Sequence, residues 1–211
     1  VSIVVAVDPH PALDLRWFVA TWPGPLGELV APAWLEALIT TEHPPLSPGG
    51  AERVEAVRAL LRHGGFKPAG RSKPCSEYIR KAVEEGRFPR INPVVDLTNL
   101  AVLHGGLPVS TVDPDRLAAP FRVGLAPAGA SYVFNASGQV LDLGGLLCLW
   151  DTDGPCANAV KDAQRAKTTA DSRRTLTVTW GTTAWPGRAE ALHRWHVAQV
   201  AALGGQVVEE G

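Results

Sequence analysis

The segment INPVVDLTNLAVLHGGLPVS, residues 91–110, constrains the fold more than any other stretch of the chain. Asn92 before Pro93 is a helix start. An Asn side chain accepts from the free N–H groups of a first turn, and Pro at the first helical position has no N–H to leave unpaired. Gly105 and Gly106 supply the stop. The segment therefore predicts a helix over 93–104. Val94, Val95, Leu97, Leu100, Ala101, Val102 and Leu103 leave that helix almost no face for water, so it must be covered on most sides. Steps of four and three residues put Asn92, Asp96 and Asn99 on one face. A buried polar stripe is costly unless its groups are bonded or line a cavity. In one reading Asn92 caps, Asp96 supports the helix start, where the macrodipole favours an anion, and Asn99 bonds a neighbouring loop. In the other the stripe faces a ligand.

What surrounds this helix decides the fold class. The 211 residues show no internal repeat, low-complexity tract or long linker, which predicts a single domain over 1–211 with room for a sizeable core. RWFVATW (16–22) mixes aromatic and β-branched residues and reads as a strand. Helices are expected at 32–40, 51–65 and 74–86, and the Pro and Gly content of 43–50 predicts a loop. The second half changes character. Short strands are expected at 121–126, 131–135, 138–143, 145–151 and 175–180, with a hairpin turn from Asn135 to Gly138. A last helix over 188–205 turns Leu192, Trp195, Val200 and Leu203 inward. Helices mainly in the first half and a mixed β-sheet of short strands in the second half favour a compact α+β domain over a doubly wound sheet.

A net charge of −1 excludes a generally basic nucleic-acid coat but leaves room for a local patch. No apolar run approaches a bilayer span, and VSIVVAVDPHP lacks the basic flank and length of a signal peptide, so no membrane association is expected. Cys75, Cys148 and Cys156 are scattered, against a disulfide framework or a zinc ribbon and for a reducing cytoplasm. Hydrolase elbows, zinc-protease helices and dinucleotide fingerprints are absent from the sequence, and no cofactor is expected. GFKPAGRS (65–72) imitates a phosphate loop, but it follows a helix, contains Pro68 and carries Arg71 where Lys belongs. His193 and His196 share a face of the last helix with no third ligand nearby, so they read as helix-surface residues and no metal site is expected. Asp113 and Asp115 flank Pro114 as a turn cap. The segment KDAQRAKTTADSRR (161–174) gathers Lys161, Arg165, Lys167, Arg173 and Arg174 ahead of a strand. Such a cluster suits phosphate contact, or else forms a solvated loop with Asp162 and Asp171 as local partners.

Taken together, residues 66–180 resemble the editing and tRNA-binding domain, the B-three/B-four domain, of the bacterial phenylalanyl-tRNA synthetase beta chain family. The resemblance rests on the run Ile-Asn-Pro-Val-Val-Asp-x-x-Asn (91–99), on Gly-Leu-Pro (106–108) with Asp113 downstream, and on the segment 161–180. In that family the domain removes a wrongly attached tyrosine from a tRNA, and free-standing versions exist. The resemblance implies a stand-alone protein that hydrolyses the ester of mischarged tRNA in trans, with the aminoacylated 3′ end as partner. A non-catalytic binder of tRNA or of an amino-acid-like ligand is the alternative. Carried over by motif, the family's pocket Asn is Asn99, paired with Thr98. The family's His falls on Ser110 and its Glu on Gln164, with Arg165, Ala166 and Lys167 replacing His-Ser-Gly. A pocket without the Glu would not bind a phenolic hydroxyl in the same way. The free-standing pattern Lys-Asp-x-x-Arg-x-x-Thr corresponds to Lys161, Asp162, Arg165 and Thr168. An aminoacyl ester is already activated, so its hydrolysis needs a placed water and oxyanion stabilisation more than a covalent nucleophile. The resemblance gives catalytic roles to Asn99, Asp162 and Arg165, substrate binding to Ser110, Gln164 and Thr168, and RNA contacts to Lys161, Lys167, Arg173 and Arg174. No cysteine or metal is needed.

Overall fold

The computed structural model of the chain describes residues 2–42, 44–46 and 49–211. The loop expected over 43–50 therefore lies partly outside the described residues. In chain order the elements are β1 (Val5–Val7), β2 (Leu13–Thr21), α1 (Ala33–Ala37), α2 (Ala51–Arg62), α3 (Cys75–Glu84), α4 (Pro93–Gly105) and β3 (Val109–Val112). There follow β4 (Phe121–Leu125), β5 (Ser131–Val133), β6 (Val140–Asp142), β7 (Leu147–Asp151), β8 (Gly154–Asn158), β9 (Arg174–Thr182), α5 (Arg188–Ala202) and β10 (Gln206–Glu210). Helices come mostly first and strands later, so the fold is α+β. The strands form two four-stranded sheets, β1-β4-β7-β8 and β10-β2-β9-β3, and the small hairpin β5-β6. The first sheet is mixed, because β1 pairs with β4 in parallel.

The second sheet is antiparallel; the second half of β2 and nearly all of β9 are buried on both faces, while the edge strand β10 is largely exposed. Strand β2 shows how its sequence meets that demand. Side chains alternate across a strand, and Trp17 and Val19 enter the larger core with residues of both sheets, while Phe18 and Ala20 enter a second core with Leu97 and Leu100 of α4. Two buried faces require the near-continuous apolar run of RWFVATW rather than a polar alternation. Strand β9 solves the same problem with threonines. Leu176, Val178 and Trp180 join the larger core. Thr175 and Thr177 turn the other way and are bonded there: Trp22 Nε1 donates to Thr175 Oγ1 at 3.1 Å, and Thr177 Oγ1 meets Thr111 Oγ1 at 3.1 Å.

Helix α4 forms as its ends dictate. Asn92 Oδ1 accepts from the N–H groups of Val94 and Val95 at 3.1 and 3.0 Å, Pro93 opens the first turn, and Gly106 closes the helix at φ 72°. Asp96 is buried, and its carboxylate accepts from Ile91 N at 2.9 Å and Arg90 Nε at 3.0 Å. Arg90 also pairs with Glu36, which ties α4 to α1. Two of the three stripe residues thus support the helix.

The sequence reading left out β1, β3, β8 and β10. Each is short, and β10 (QVVEE) follows the expected last helix, which in fact stops at Ala202. A second correction concerns His193 and His196. They are not surface residues; both are buried, edge-on to the Phe18 ring at centroid distances of 5.7 and 5.1 Å. His193 Nε2 also meets Glu210 at 3.0 Å, because the final strand covers that side of α5. Among the described residues, no helix is long and apolar enough to cross a membrane.

Two stability measurements follow. Asn92→Ala removes an N-cap that serves two N–H groups and is expected to lower unfolding free energy by about 1 kcal/mol in denaturant titration; no loss would deny the cap. His196 is held down to about 3 by burial and by the neighbouring His193, against an ordinary 6.5. The unfolded chain therefore takes up this proton first as pH falls. The stability is complete above about pH 6.5 and is lost as pH falls toward 3. His196→Gln should lose less Tm between pH 7 and pH 5 than the wild type, whereas equal losses would assign the acid sensitivity elsewhere.

Candidate functional site

The loop from Asn158 to Asp162 is built by one buried side chain. Asn158, at the end of β8, turns its Oδ1 to the N–H groups of Val160 and Lys161 at 2.7 and 3.0 Å. Its Nδ2 donates to Tyr132 Oη, and Tyr132 Oη donates to the Lys161 carbonyl at 2.5 Å. Burial, with Asp162 nearby, pushes the Tyr132 phenol well up, so it stays a donor. The loop is therefore fixed at both ends before it presents Lys161 and Asp162.

Asp162 is half-buried. Its Oδ1 accepts from Ser110 Oγ at 2.7 Å and from Asn158 N at 3.2 Å. Among the described residues no donor reaches Oδ2. Burial raises this carboxyl from 3.8 to about 6, against the lowering effect of the Ser110 and Asn158 bonds and the charge of Lys167. Cys75, at the start of α3, feels the same carboxylate. Burial first and Asp162 next push its thiol up to about 12, so it is no nucleophile at neutral pH.

Around this loop lie two adjoining cavities. One, of about 620 Å³, is lined by Arg71, Lys73, Cys75, Tyr78, Lys81 and Lys161 among others. The other, of about 660 Å³, is lined by Lys67, Arg71, Phe134, Gln139, Asp142 and Lys161 among others. Arg71 and Lys161 belong to both walls. Burial and the neighbouring Arg71 hold the Lys161 ammonium below its ordinary value, and its Nζ lies 4.3 Å from the centre of the Phe134 ring. The two acids at the walls are engaged: Glu77 takes both arms of Arg58, and Asp142 accepts from Gly144 N. The result is a groove of predominantly positive potential in a chain of net charge −1.

The fold has a counterpart among solved structures. It is similar to "an N-terminal fragment of the phenylalanyl-tRNA synthetase beta-subunit from Pyrococcus horikoshii", at a TM-score of 0.53 and 11% identity. The similarity covers 98% of this chain and 50% of that one, so this chain spans about half the length of that fragment. At this identity the likeness establishes the fold. No protein-family model matches the chain, and no curated protein matches it in sequence.

The residues singled out from the sequence separate into groups. Asp162, Ser110 and Lys161 come together. Ser110 is fully buried, and its hydroxyl is occupied by Asp162, by Trp180 Nε1 at 3.0 Å and by the Asn158 carbonyl at 3.1 Å. No bond joins Asn99 to them among the described residues. Thr98, beside it on α4, bonds Thr111 of β3 at 2.7 Å, while Ser110, the preceding residue of β3, turns to Asp162. Adjacent residues of a strand point to opposite faces, so Thr98 and Asp162 meet opposite faces of β3. Asn99 is half-buried, and no hydrogen bond to its side chain is found among the described residues.

Arg165 spends its guanidinium inside the fold, with two bonds of 2.7 Å to the buried Asp151 carboxylate and one of 3.0 Å to the Gly154 carbonyl. Lys167 Nζ donates to the Phe134 carbonyl at 2.7 Å, and Arg174 pairs with Asp115 at 2.7 Å. Arg173 is exposed, while Gln164 and Thr168 are half-buried. The basic segment is thus dispersed, and of its cations Lys161 alone lines the two cavities.

The groove's other cations, Lys67, Arg71, Lys73 and Lys81, escaped the sequence reading. The signal was there in part: GFKPAGRS supplies residues to both cavities, although it is no strand-to-helix phosphate loop.

The raised Asp162 carboxyl carries a checkable sign. The folded chain holds this proton more tightly than the unfolded chain. The resulting stability is present below about pH 4 and is lost as pH rises through about 6. Asp162→Asn keeps an acceptor for Ser110 and has no such loss. Its Tm relative to wild type should therefore rise between pH 4 and pH 8, and a constant difference would place the carboxyl in an ordinary, solvated environment.

Proposed function

We propose that this protein binds the aminoacylated 3′ end of tRNA in the groove between Arg71 and Lys161 and hydrolyses the aminoacyl ester, acting in trans on mischarged tRNA in the cytoplasm. The observation that carries the reading is the pair of cavities sharing these two cations, with Asp162 next to Lys161 in the same Asn158-anchored loop. The likeness of the fold to a fragment of a tRNA synthetase subunit supports the choice of tRNA among polyanions.

The chemistry follows from the parts. Arg71 and Lys161 attract the terminal phosphates, and Lys67, Lys73 and Lys81 extend the contact. Asp162, fixed through Oδ1, offers Oδ2 to a water. At pH 7 a carboxyl near 6 is mostly ionised yet more basic than an exposed one, which suits a general base for an ester that is already activated. The Lys161 ammonium is placed beside the same loop to stabilise a developing oxyanion. Asn99, for which no bond is found among the described residues, and Arg165, engaged with Asp151, are given no contact with the substrate in this proposal.

A second reading is a binding module without turnover. One observation favours it: the polar groups nearest Asp162, Ser110 above all, already have partners within the fold.

A panel of mischarged tRNAs decides between the two. Turnover should rise with pH through about 6 and fall at least about tenfold in Asp162→Asn, a loss of about 1.4 kcal/mol in transition-state stabilisation. It should survive thiol alkylation and Asn99→Ala. Lys161→Gln and Arg71→Gln should weaken tRNA binding and flatten its salt dependence by about one unit of slope per lost phosphate contact. Binding without turnover on any aminoacyl-tRNA would establish the module, and absence of tRNA binding would refute both.

A further inference from the structure

A third cavity, of about 370 Å³, adjoins the groove and shares Glu77 and Lys81 of α3 with it. It lies between the start of α2, the outer face of α3 and Trp185, and nothing in the reading above uses it. Two guanidiniums meet there on one indole: Arg53 Cζ is 4.3 Å and Arg188 Cζ 4.5 Å from the Trp185 ring centre. Like charges brought together in this way repel one another, and an apolar ring between them offsets only part of the cost.

Arg188 is the telling residue, at 8% exposure. Its Nε and Nη2 donate to the Gly105 and His104 carbonyls at 2.7 and 2.8 Å, the last carbonyls of α4. These oxygens carry about half a negative charge between them. Among the described residues no carboxylate pairs with Arg188, and no protein acceptor is found for its Nη1, which is not sealed from solvent. The acids that line the cavity are committed elsewhere, Glu77 to Arg58 at 2.6 Å and Glu84 to Arg80 at 3.0 Å. Glu52 lies 3.8 Å from Arg53 and accepts from Gly50 N, so the first turn of α2 is neutralised locally. Arg80 and Lys81, near the mouth, are paired with Glu84 and with Glu85 at 3.7 Å, so the unbalanced positive charge sits at Arg188. A buried guanidinium held by two carbonyls that bear only a partial charge is short of an anion. Its planar fork suits phosphate oxygens, and several cations around one space suit a dianion better than a carboxylate.

We infer that this cavity is a phosphate-binding site, with Arg188 and Arg53 as its donors and Arg80 and Lys81 at its mouth. The phosphate comes either from the RNA that lies along the adjoining groove or from a free phosphate or phosphate monoester. Only the RNA source rests on the function proposed above.

Calorimetric titration with inorganic phosphate, at ionic strength held constant with chloride, tests the site. Saturable binding is expected in the wild type. R53Q removes a donor and should weaken binding by about tenfold or more. R80Q, at an exposed position where folding is not at risk, releases the Glu84 carboxylate toward the cavity and should also weaken it. R194Q, at an exposed position of α5 outside this cavity and the groove, should leave it unchanged. No saturable heat, or unchanged affinity in both R53Q and R80Q with circular dichroism intact, overturns the inference. Repeating the titration with saturating tRNA identifies the source: loss of phosphate binding means that the RNA backbone fills the site, and retained binding means a free phosphate. Phosphate binding without any tRNA binding would leave this site standing while refuting the proposed function.

Discussion

Burial of β9, β3 and the second half of β2 on both faces is the constraint on which the rest of the molecule depends. A sheet with one wet face can leave its polar side chains to water. The buried part of this one cannot, so most of its hydroxyls are matched within the protein. Thr98, Thr111 and Thr177 form one chain of hydroxyls on the α4 side, and Ser110 is matched with Trp180 and Asp162 on the other. An unmatched hydroxyl in such a place costs about 1–3 kcal/mol, comparable to a whole N-cap. Those pairings select the register of the edge strand β3, because a slip of one residue would turn Ser110 toward α4 and Thr111 toward Asp162.

The same edge strand sets up the groove. Its open side is covered by the start of α3, where Cys75 N donates to the Ala159 carbonyl at 3.0 Å, and by the segment after β8, where Val112 forms a bridge with Lys167. Covering an edge in this way removes a surface that would otherwise pair with another chain. It also brings α3, the Asn158 turn and the Lys161 ammonium side by side. Fold stability and the positive groove therefore have one cause: the need to close β3.

Much of this was legible in the sequence where the signal was local. Asn92-Pro93 and Gly106 wrote the ends of α4, Asn135 to Gly138 wrote the β5-β6 turn, and RWFVATW wrote a strand with two covered faces. Signals that needed a partner distant in sequence were not legible. VSTV is too short to read as a strand without β9 beside it, and nothing in HRWHV announces that Phe18 and a final strand will bury both histidines. The candidate site shows the same limit. Lys161 and Asp162 belong to one motif in sequence, but their neighbours Arg71, Ser110 and Tyr132 come from three other parts of the chain. Arg165 had the composition of an anion ligand, and only the position of Asp151 reveals that its fork is filled from within. Thr98 and Asn99 form a motif pair in sequence, yet a helix sends successive side chains about 100° apart, and it is Thr98 that reaches β3.

The two cavities of the groove have Arg71 and Lys161 as a common wall, and this makes them thermodynamically one unit. A cation that leans toward an anion on one side withdraws its field from the other. Each occupant must then alter the affinity of its neighbour, and by the same factor in both directions. Two like-charged groups will exclude one another across that wall. A single ligand with its charge at the wall and an uncharged portion in each recess meets no such penalty. The geometry of two cations thus selects for ligands that straddle the partition and against pairs of separate small anions.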